Sequence, residues 1–332
     1  MARIVDWESR IGRRLRLRDL HVFFAVVQSG SMAKAATQLR VTQPSVSKAI
    51  GDLEAALSVR LFDRSSQGVE PTLYGQALIK CGAAVFDELK QGIRHIEFLA
   101  DPTSGELRIG CLAAITATMI VPTIIERFGQ AHSRVILHVD DESSHRSLLS
   151  GLRDRKYDLT IVRVGSPLAG DLNDINIEVL FHDRMVVVAG IHSKWASRRR
   201  IDLAELVAGP WILSAPDTWI YTRLAEAFQE RGLAVPTARL VTLSVPLRTH
   251  LLASGQYLAP FGHAALSLLN AARPIVKALP IDLPDRPWPV AIMTLKDRTL
   301  SPVAERFIGC ARQVAISLAG KSRAHPTGPN VA

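Results

Sequence analysis

Between Leu17 and Leu57 the chain reads as three short helices separated by two tight breaks, and this arrangement limits the architecture most. Leu20, Phe23, Phe24 and Val27 recur at intervals of three and four, the period of one helix face. Ser29-Gly30 ends that helix, because glycine accepts the left-handed terminus. Ser31 is positioned to cap a second, Ala-rich helix over Met32–Leu39, in which Ala35 and Ala36 allow close helix approach. After the Arg40-Val41 turn, Thr42 is placed to cap a third helix with Pro44 in its first turn.

The third helix divides its faces sharply. Val46, Ile50, Leu53 and Leu57 fall on one narrow arc, and Pro44, Ser45, Lys48 and Asp52 on the opposite one, with Gln43 and Ser47 at its margin. A helix that only packs has no need of hydroxyls, an amide and a lysine in its first two turns. A helix entering the major groove uses them, since its first residues meet base edges and phosphates. Gln pairs with adenine, Ser with either kind of base edge, and Lys with guanine or phosphate. A solvated amphipathic face is the plain alternative. The residues beyond this helix favour the groove: Leu61-Phe62 anchors, Arg64 to Gly68 forms a polar loop, and Val69 to Thr72 returns as strand. This is the shape of a two-stranded wing, whose Arg64 and Gln67 would reach the backbone or the minor groove.

These positions resemble the LysR-type bacterial transcriptional regulators. The resemblance is carried over about 60 residues by Gly30-Ser31, Ala35-Ala36, Leu39, Gln43-Pro44-Ser45-Val46-Ser47, Ile50, Leu53-Glu54, Leu57, Leu61-Phe62, Arg64, Pro71-Thr72 and Gly75. Ser58 departs from it, standing where the family often has Gly, and so does Pro71, where Leu is more usual. The expected DNA-contacting residues are Ser31, Thr42, Gln43, Pro44, Ser45, Ser47, Lys48, Arg64 and Gln67.

Thr72 is placed to cap a long helix to about Ala100. Leu78, Cys81, Val85, Leu89, Ile93, Ile96 and Leu99 make a continuous stripe along it, with Cys81 expected as a small buried member. A lone helix leaves such a stripe uncovered, so it is expected to pair with a second copy; the resemblance implies a dimer through this helix and a tetramer beyond it. From Glu106 predicted strands and helices alternate, which indicates α/β layers with largely parallel sheets. An excursion near Arg163–Asp183 and a return near Pro260 suggest two subdomains joined by crossing strands. The expected fold is therefore a winged helix-turn-helix domain with a linker helix, followed by a two-subdomain α/β effector domain like a periplasmic binding protein. The divisions are a basic extension 1–14, the DNA-binding domain 15–72 (helix-turn-helix about 32–51), the linker helix 73–101, a hinge 102–105, the effector domain 106–320 and a disordered tail 321–332.

Ligands of open α/β folds bind beyond the carboxyl ends of strands. That rule selects Ala114, Thr116 and Thr118 after the first strand, Arg163 at the crossing, Ser214 and Thr218 after the Trp211 strand, and Phe261 near the return. The resemblance places a small-molecule effector among these loops. Leu112-Ala113-Ala114 is less polar than in many relatives, which argues against a purely anionic, tightly hydrogen-bonded effector.

Composition removes the competing classes. The net charge is +9, and residues 1–65 hold 11 Lys and Arg against 6 Asp and Glu, much of it from Arg10, Arg13, Arg14, Arg16 and Arg18. That balance permits nucleic acid as a partner. The three cysteines are scattered singletons, giving neither a disulfide framework nor a zinc site. No apolar run reaches the ~20 residues of a membrane span, and residues 1–20 lack a secretory signal's apolar stretch. There is no GxSxG, P-loop, dinucleotide or HExxH signature. The expectation is a cytoplasmic regulator of promoter DNA, without cofactor, metal or catalytic residues and without a membrane. The resemblance adds contact with RNA polymerase. A solute-binding or enzymatic α/β protein is the alternative, and neither explains residues 17–72.

Overall fold

A computed structural model of the chain describes residues 15–65, 68–116, 120–142, 144–164, 172–270, 274–284 and 286–323. The basic extension 1–14 and residues 324–332 of the expected tail lie outside them. The chain forms two compact units that meet in sequence at Lys90 and Gln91.

The first unit opens with α1 (Leu17–Ser29), α2 (Met32–Leu39) and α3 (Gln43–Leu57). Gly30 ends α1 at φ 63°, its N–H donating to the Val26 carbonyl. Arg40 and Ser58 end α2 and α3 in the same left-handed conformation, at φ 56° and 58°. Phe23, Val26, Ala35, Val46 and Ile50 are wholly buried, and each large apolar side chain buried here contributes roughly 1.5–3 kcal/mol. Two of the expected caps are not made. Neither Ser31 nor Thr42 accepts a hydrogen bond into its helix; the Thr42 hydroxyl lies 2.8 Å from the Ser45 hydroxyl instead.

β1 (Phe62–Ser65) and β2 (Gly68–Pro71) pair antiparallel as the expected wing. Two contacts fix it to the helices. Val69 N–H donates to the Gly30 carbonyl at 3.1 Å, and Glu54 Oε1 accepts from Leu61 N–H at 2.7 Å. Thr72 does cap the next helix, accepting from Gly75 N–H at 3.1 Å. That helix, α4, runs Leu73–Ala100 for 28 residues. Leu78 is half-buried against the helix-turn-helix core, and from Cys81 on the expected stripe is exposed in the single chain, Ile96 and Leu99 at 68% and 70%. Cys81, expected to be buried, is exposed with them, because a single chain provides nothing to cover that face.

The second unit holds β3 (Ser104–Leu112), α5 (Ala113–Thr116), α6 (Ile120–Ala131), β4 (Arg134–Glu142), α7 (His145–Arg153), β5 (Leu159–Arg163), β6 (Ile175–Asp183), β7 (Met185–Gly190), β8 (Trp211–Leu213), α8 (Trp219–Gln229), β9 (Ala238–Val241), α9 (Val245–Ala253), β10 (Leu258–Gly262), α10 (His263–Leu269), β11 (Val276–Ala278), β12 (Trp288–Leu295) and α11 (Pro302–Arg323). Two five-stranded sheets result, ordered β4-β3-β5-β12-β6 and β11-β7-β10-β8-β9.

Both sheets are mixed, not largely parallel. β12 runs antiparallel to β5 and β6, and β7 antiparallel to β10 and β11. The cause is the crossing: a strand that returns from the other sheet enters in the opposite direction. The outward crossing falls at Asp183–Met185, after β6, which the alternation of Ile175, Ile177, Val179 and Phe181 marks and which the excursion reading passed over. The return lies between Ala278 and Trp288. Pro260 is inside β10, so the expected return there is displaced. β3 starts at Ser104, inside the expected hinge, because Ser104 and Gly105 already pair with Arg134 and Val135. α11 continues past Gly320 to Arg323.

Candidate DNA-reading surface and effector cleft

On α3 the division of faces is realised in full. Val46, Ile50 and Leu53 are buried against α1 and α2, whereas Gln43, Pro44, Ser45 and Lys48 are exposed and Ser47 is half-buried. Thr42, at the start, is exposed and Ser31, ahead of α2, is half-buried. Lys48 Nζ is 3.1 Å from Asp52 Oδ2, a solvated pair one helical turn apart. Arg64 lies in β1 opposite Val69; Gln67 is outside the described residues. The first two turns of α3 therefore present an amide, hydroxyls and a lysine outward from a rigid apolar base.

The second unit gathers its expected residues unevenly. Arg163 ends β5 and is 3% exposed. Its Nη2 is 3.4 Å from Asp183 Oδ2, at the end of β6. Its guanidinium lies over Trp219 and Trp288, with ring centroids at 4.8 and 5.8 Å. Burial lowers the Arg163 pKa, and Asp183 opposes that shift. Asp183 Oδ1 accepts from the backbone N–H groups of Arg184 (2.9 Å) and Ala264 (3.0 Å), so one carboxylate ties the crossing point to the start of α10. Gly262 is needed at this spot: a Cβ there would stand 2.7 Å from Arg163 Nη2 and closer still to Asp183. Arg163 is thus brought to the end of β10, next to Phe261.

Ser214, directly after β8, is 1% exposed and its Oγ has no hydrogen-bond partner among the described residues. Phe261 is buried with Ile212, Ala259 and Leu252. Thr116 and Thr218 play a local part. Thr116 Oγ1 donates to the Ala113 carbonyl at 3.0 Å and Thr218 Oγ1 to the Ala215 carbonyl at 2.6 Å. Ala114 lies in the short helix α5, and Thr118 is outside the described residues. Asp183, Trp219, Trp288 and Arg248 are absent from the sequence-based set. Arg248 carried a signal: it falls four residues before Leu252 on α9, on the buried side of the helix.

Two of the three thiols are shielded. Burial pushes the Cys111 pKa up to about 12 and raises that of Cys310, so both are held as thiols, not as the reactive thiolate. Among the described residues no cluster of His, Cys, Asp and Glu is suited to a metal, and no helix is long and apolar enough to cross a membrane.

Comparison with known proteins agrees with this geometry. Residues 17–76 match the family described as bacterial regulatory helix-turn-helix protein, lysR family. Residues 100–316 match the LysR substrate binding domain. The chain is 28% identical over 311 residues to the HTH-type transcriptional regulator YdcI of Escherichia coli, covering 93% of this chain and 99% of that one. It is 27% identical over 304 residues to GbpR of Azospirillum brasilense, covering 90% and 86%. Among solved structures, a full-length OxyR variant from Pseudomonas aeruginosa shares the fold at TM-score 0.62 and 20% identity, over 91% and 94% of the two chains. CbnR complexed with its target DNA shares it at TM-score 0.51 and 20% identity, over 91% and 100%. A helix-turn-helix with an outward polar face, joined to a two-sheet α/β module and matched on both parts, is a regulator and not an enzyme: the chain belongs to the LysR-type transcriptional regulators.

Proposed function

We propose that α3 reads promoter DNA through its first two turns, with Gln43 and Ser45 on base edges and Lys48 on guanine or phosphate. Thr42, Ser31, Arg64 and Gln67 position the unit on the backbone and minor groove. The observation that carries this reading is the full burial of Val46 and Ile50 beneath an exposed Gln43, Pro44, Ser45 and Lys48. Two copies pair through the stripe of α4, so that two α3 helices lie in successive major grooves ~34–36 Å apart or a multiple of that. Two dimers then join through their α/β domains as a tetramer that bends the promoter in the cytoplasm.

A small-molecule effector binds between the two sheets near Arg163, Ser214 and Phe261. The two sheets are joined by crossings at Asp183–Met185 and between Ala278 and Trp288, and those crossings are where the sheets would close on a ligand. Closure changes the packing of the α/β domains, the bend, and contact with RNA polymerase.

The test is genome-wide mapping of the DNA fragments that the full-length protein retains at physiological salt. A shared inverted repeat upstream of one operon is the expected result, with affinity falling steeply as salt rises. Retention without a common site would leave only electrostatic binding and remove the base-reading roles of Gln43 and Ser45.

A further inference from the structure

β8, β9 and β10 run parallel, so their C-terminal ends form one edge of the second sheet. Leu258 pairs with Trp211, so β8 and β10 run in step toward that edge, where Phe261 lies near the end of β10 and Ser214 directly follows β8. By strand alternation Ser214 shares the face of Ile212. Ile212 and Phe261 belong to one apolar cluster, with Leu252 of α9.

Onto this face α9 directs Arg248. Its guanidinium carbon lies 4.1 Å from the Phe261 ring centroid, and Nη2 donates to the Pro260 carbonyl. Arg248 is 4% exposed. The other buried arginines of this unit have an acid within reach: Arg163 has Asp183 at 3.4 Å and Arg298 has Asp158 at 2.9 Å. Arg248 has no acidic partner among the described residues, and its Nε has no hydrogen-bond partner there. Burial holds its pKa down at about 10, with no neighbouring charge acting on it.

A buried charge without a counter-charge, at the same sheet edge as a buried hydroxyl without a partner, is an arrangement that folding alone disfavours. An anion supplies what both lack: a negative charge for the guanidinium and oxygens for Nε–H and the Ser214 hydroxyl. The edge is also where ligands of parallel strands bind. We propose that this edge holds the anionic head of a small organic acid, with Arg248 as its counter-charge and Ser214 as a second contact. The proposal rests on the reading of this domain as an effector module and adds the effector's chemical class. The apolar Leu112–Ala114 loop argues against an effector that is anionic throughout, and does not bear on a single anionic head here.

The test is thermal unfolding of the full-length protein in sodium chloride and, at matched ionic strength, in acetate, benzoate, succinate or sulfate. Glucose and catechol serve as uncharged probes. At about one hundred times Kd a specific ligand raises the midpoint by about 5–10 °C. The expected result is such a rise with a carboxylate in the wild type, a smaller one in Ser214→Ala, and none beyond the chloride value in Arg248→Met. If Arg248→Met does not fold, the reduced shift in Ser214→Ala decides. Equal carboxylate shifts in the wild type and the variants overturn the proposal, and a rise with sulfate alone overturns the organic-acid class. A rise with only the uncharged probes overturns the anion while keeping the effector module. No shift with any probe counts against both.

Discussion

The winged helix-turn-helix and the α/β unit treat charge in opposite ways. Among the described residues from Leu15 to Thr72, no charged side chain is buried. The α/β unit buries Asp158, Arg163, Asp183, Arg248 and Arg298. A DNA-reading module works with side chains that face outward, so its interior is free to be wholly apolar. A ligand-switched module needs charges held at fixed places inside, and every one of them must be matched or left for a ligand. The exposed charges of α3 are therefore replaceable without loss of fold, and the buried charges of the α/β unit are not.

The sharpest way to break that contrast is at Asp158. Its Oδ1 accepts from Arg94 Nη1 at 3.1 Å and Arg298 Nη2 at 2.9 Å, and its Oδ2 from Arg108 N–H at 2.9 Å. Arg94 belongs to the last turns of α4, so this carboxylate holds that helix end to the start of β5. Asp158→Ala leaves two arginines without their counter-charge and is expected to cost about 3–5 kcal/mol in chemical denaturation. A loss below about 1 kcal/mol would mean that the network contributes little and that the contrast between the units is only one of composition.

The opposite end of the comparison is Gln43 and Ser45. Both are exposed and pack against nothing in the core. Gln43→Ala or Ser45→Ala should leave the midpoint of unfolding unchanged within about 0.5 kcal/mol. Each should still remove about 1–3 kcal/mol of discrimination between the operator and random DNA. Competition binding checks this, and equal losses on both DNAs would remove the base-reading role.

These two cases also show what the sequence made legible. The helix-turn-helix could be read because its function sits on consecutive residues of one helix, where a period of three and four separates base from face. The alternation of strands and helices from Glu106 could be read from the same kind of local pattern. The Asp158–Arg298 and Arg163–Asp183 pairs could not, because they join residues 140 and 20 positions apart and only the sheet order β5-β12-β6 brings them together. The mixed strand directions escaped for the same reason: direction follows from which sheet a strand returns to, and local pattern is silent on that. Thr116 and Thr218 were selected by position after strands, a rule that does not see that their hydroxyls serve carbonyls three residues back.

Ser58 adds a smaller test inside the helical unit. It ends α3 at φ 58° with its N–H donating to the Glu54 carbonyl. A residue with a Cβ pays roughly 1–2 kcal/mol in this conformation, and glycine does not. Part of that gain is lost to the greater freedom of glycine in the unfolded chain. Ser58→Gly should stabilise by about 1 kcal/mol without changing DNA affinity beyond its effect on folding. Arg40, at φ 56°, is the parallel position on α2. If Ser58→Gly destabilises, the left-handed end of α3 is held by more than its backbone.

Lys48 has only a small effect on stability and completes the contrast with Asp158. Its pair with Asp52 is 3.1 Å long, but the two side chains are 77% and 57% exposed. An i,i+4 pair in that setting contributes about 0.3–0.5 kcal/mol, because water already solvates both charges. Lys48→Ala should therefore shift denaturation by no more than that, and less at high salt. On DNA the same lysine has two partners to choose from. If it turns to a phosphate, Lys48→Ala weakens binding to all sequences and lowers the slope of log affinity against log salt by about 1. If it stays with Asp52, the slope does not change, and Asp52→Ala then becomes informative. Freeing Lys48 from Asp52 should raise affinity for every DNA, since an acidic side chain on the reading face repels phosphate. A charge that water holds in the free protein thus acts only when a partner displaces that water, whereas the Asp158 charge acts as soon as the chain folds.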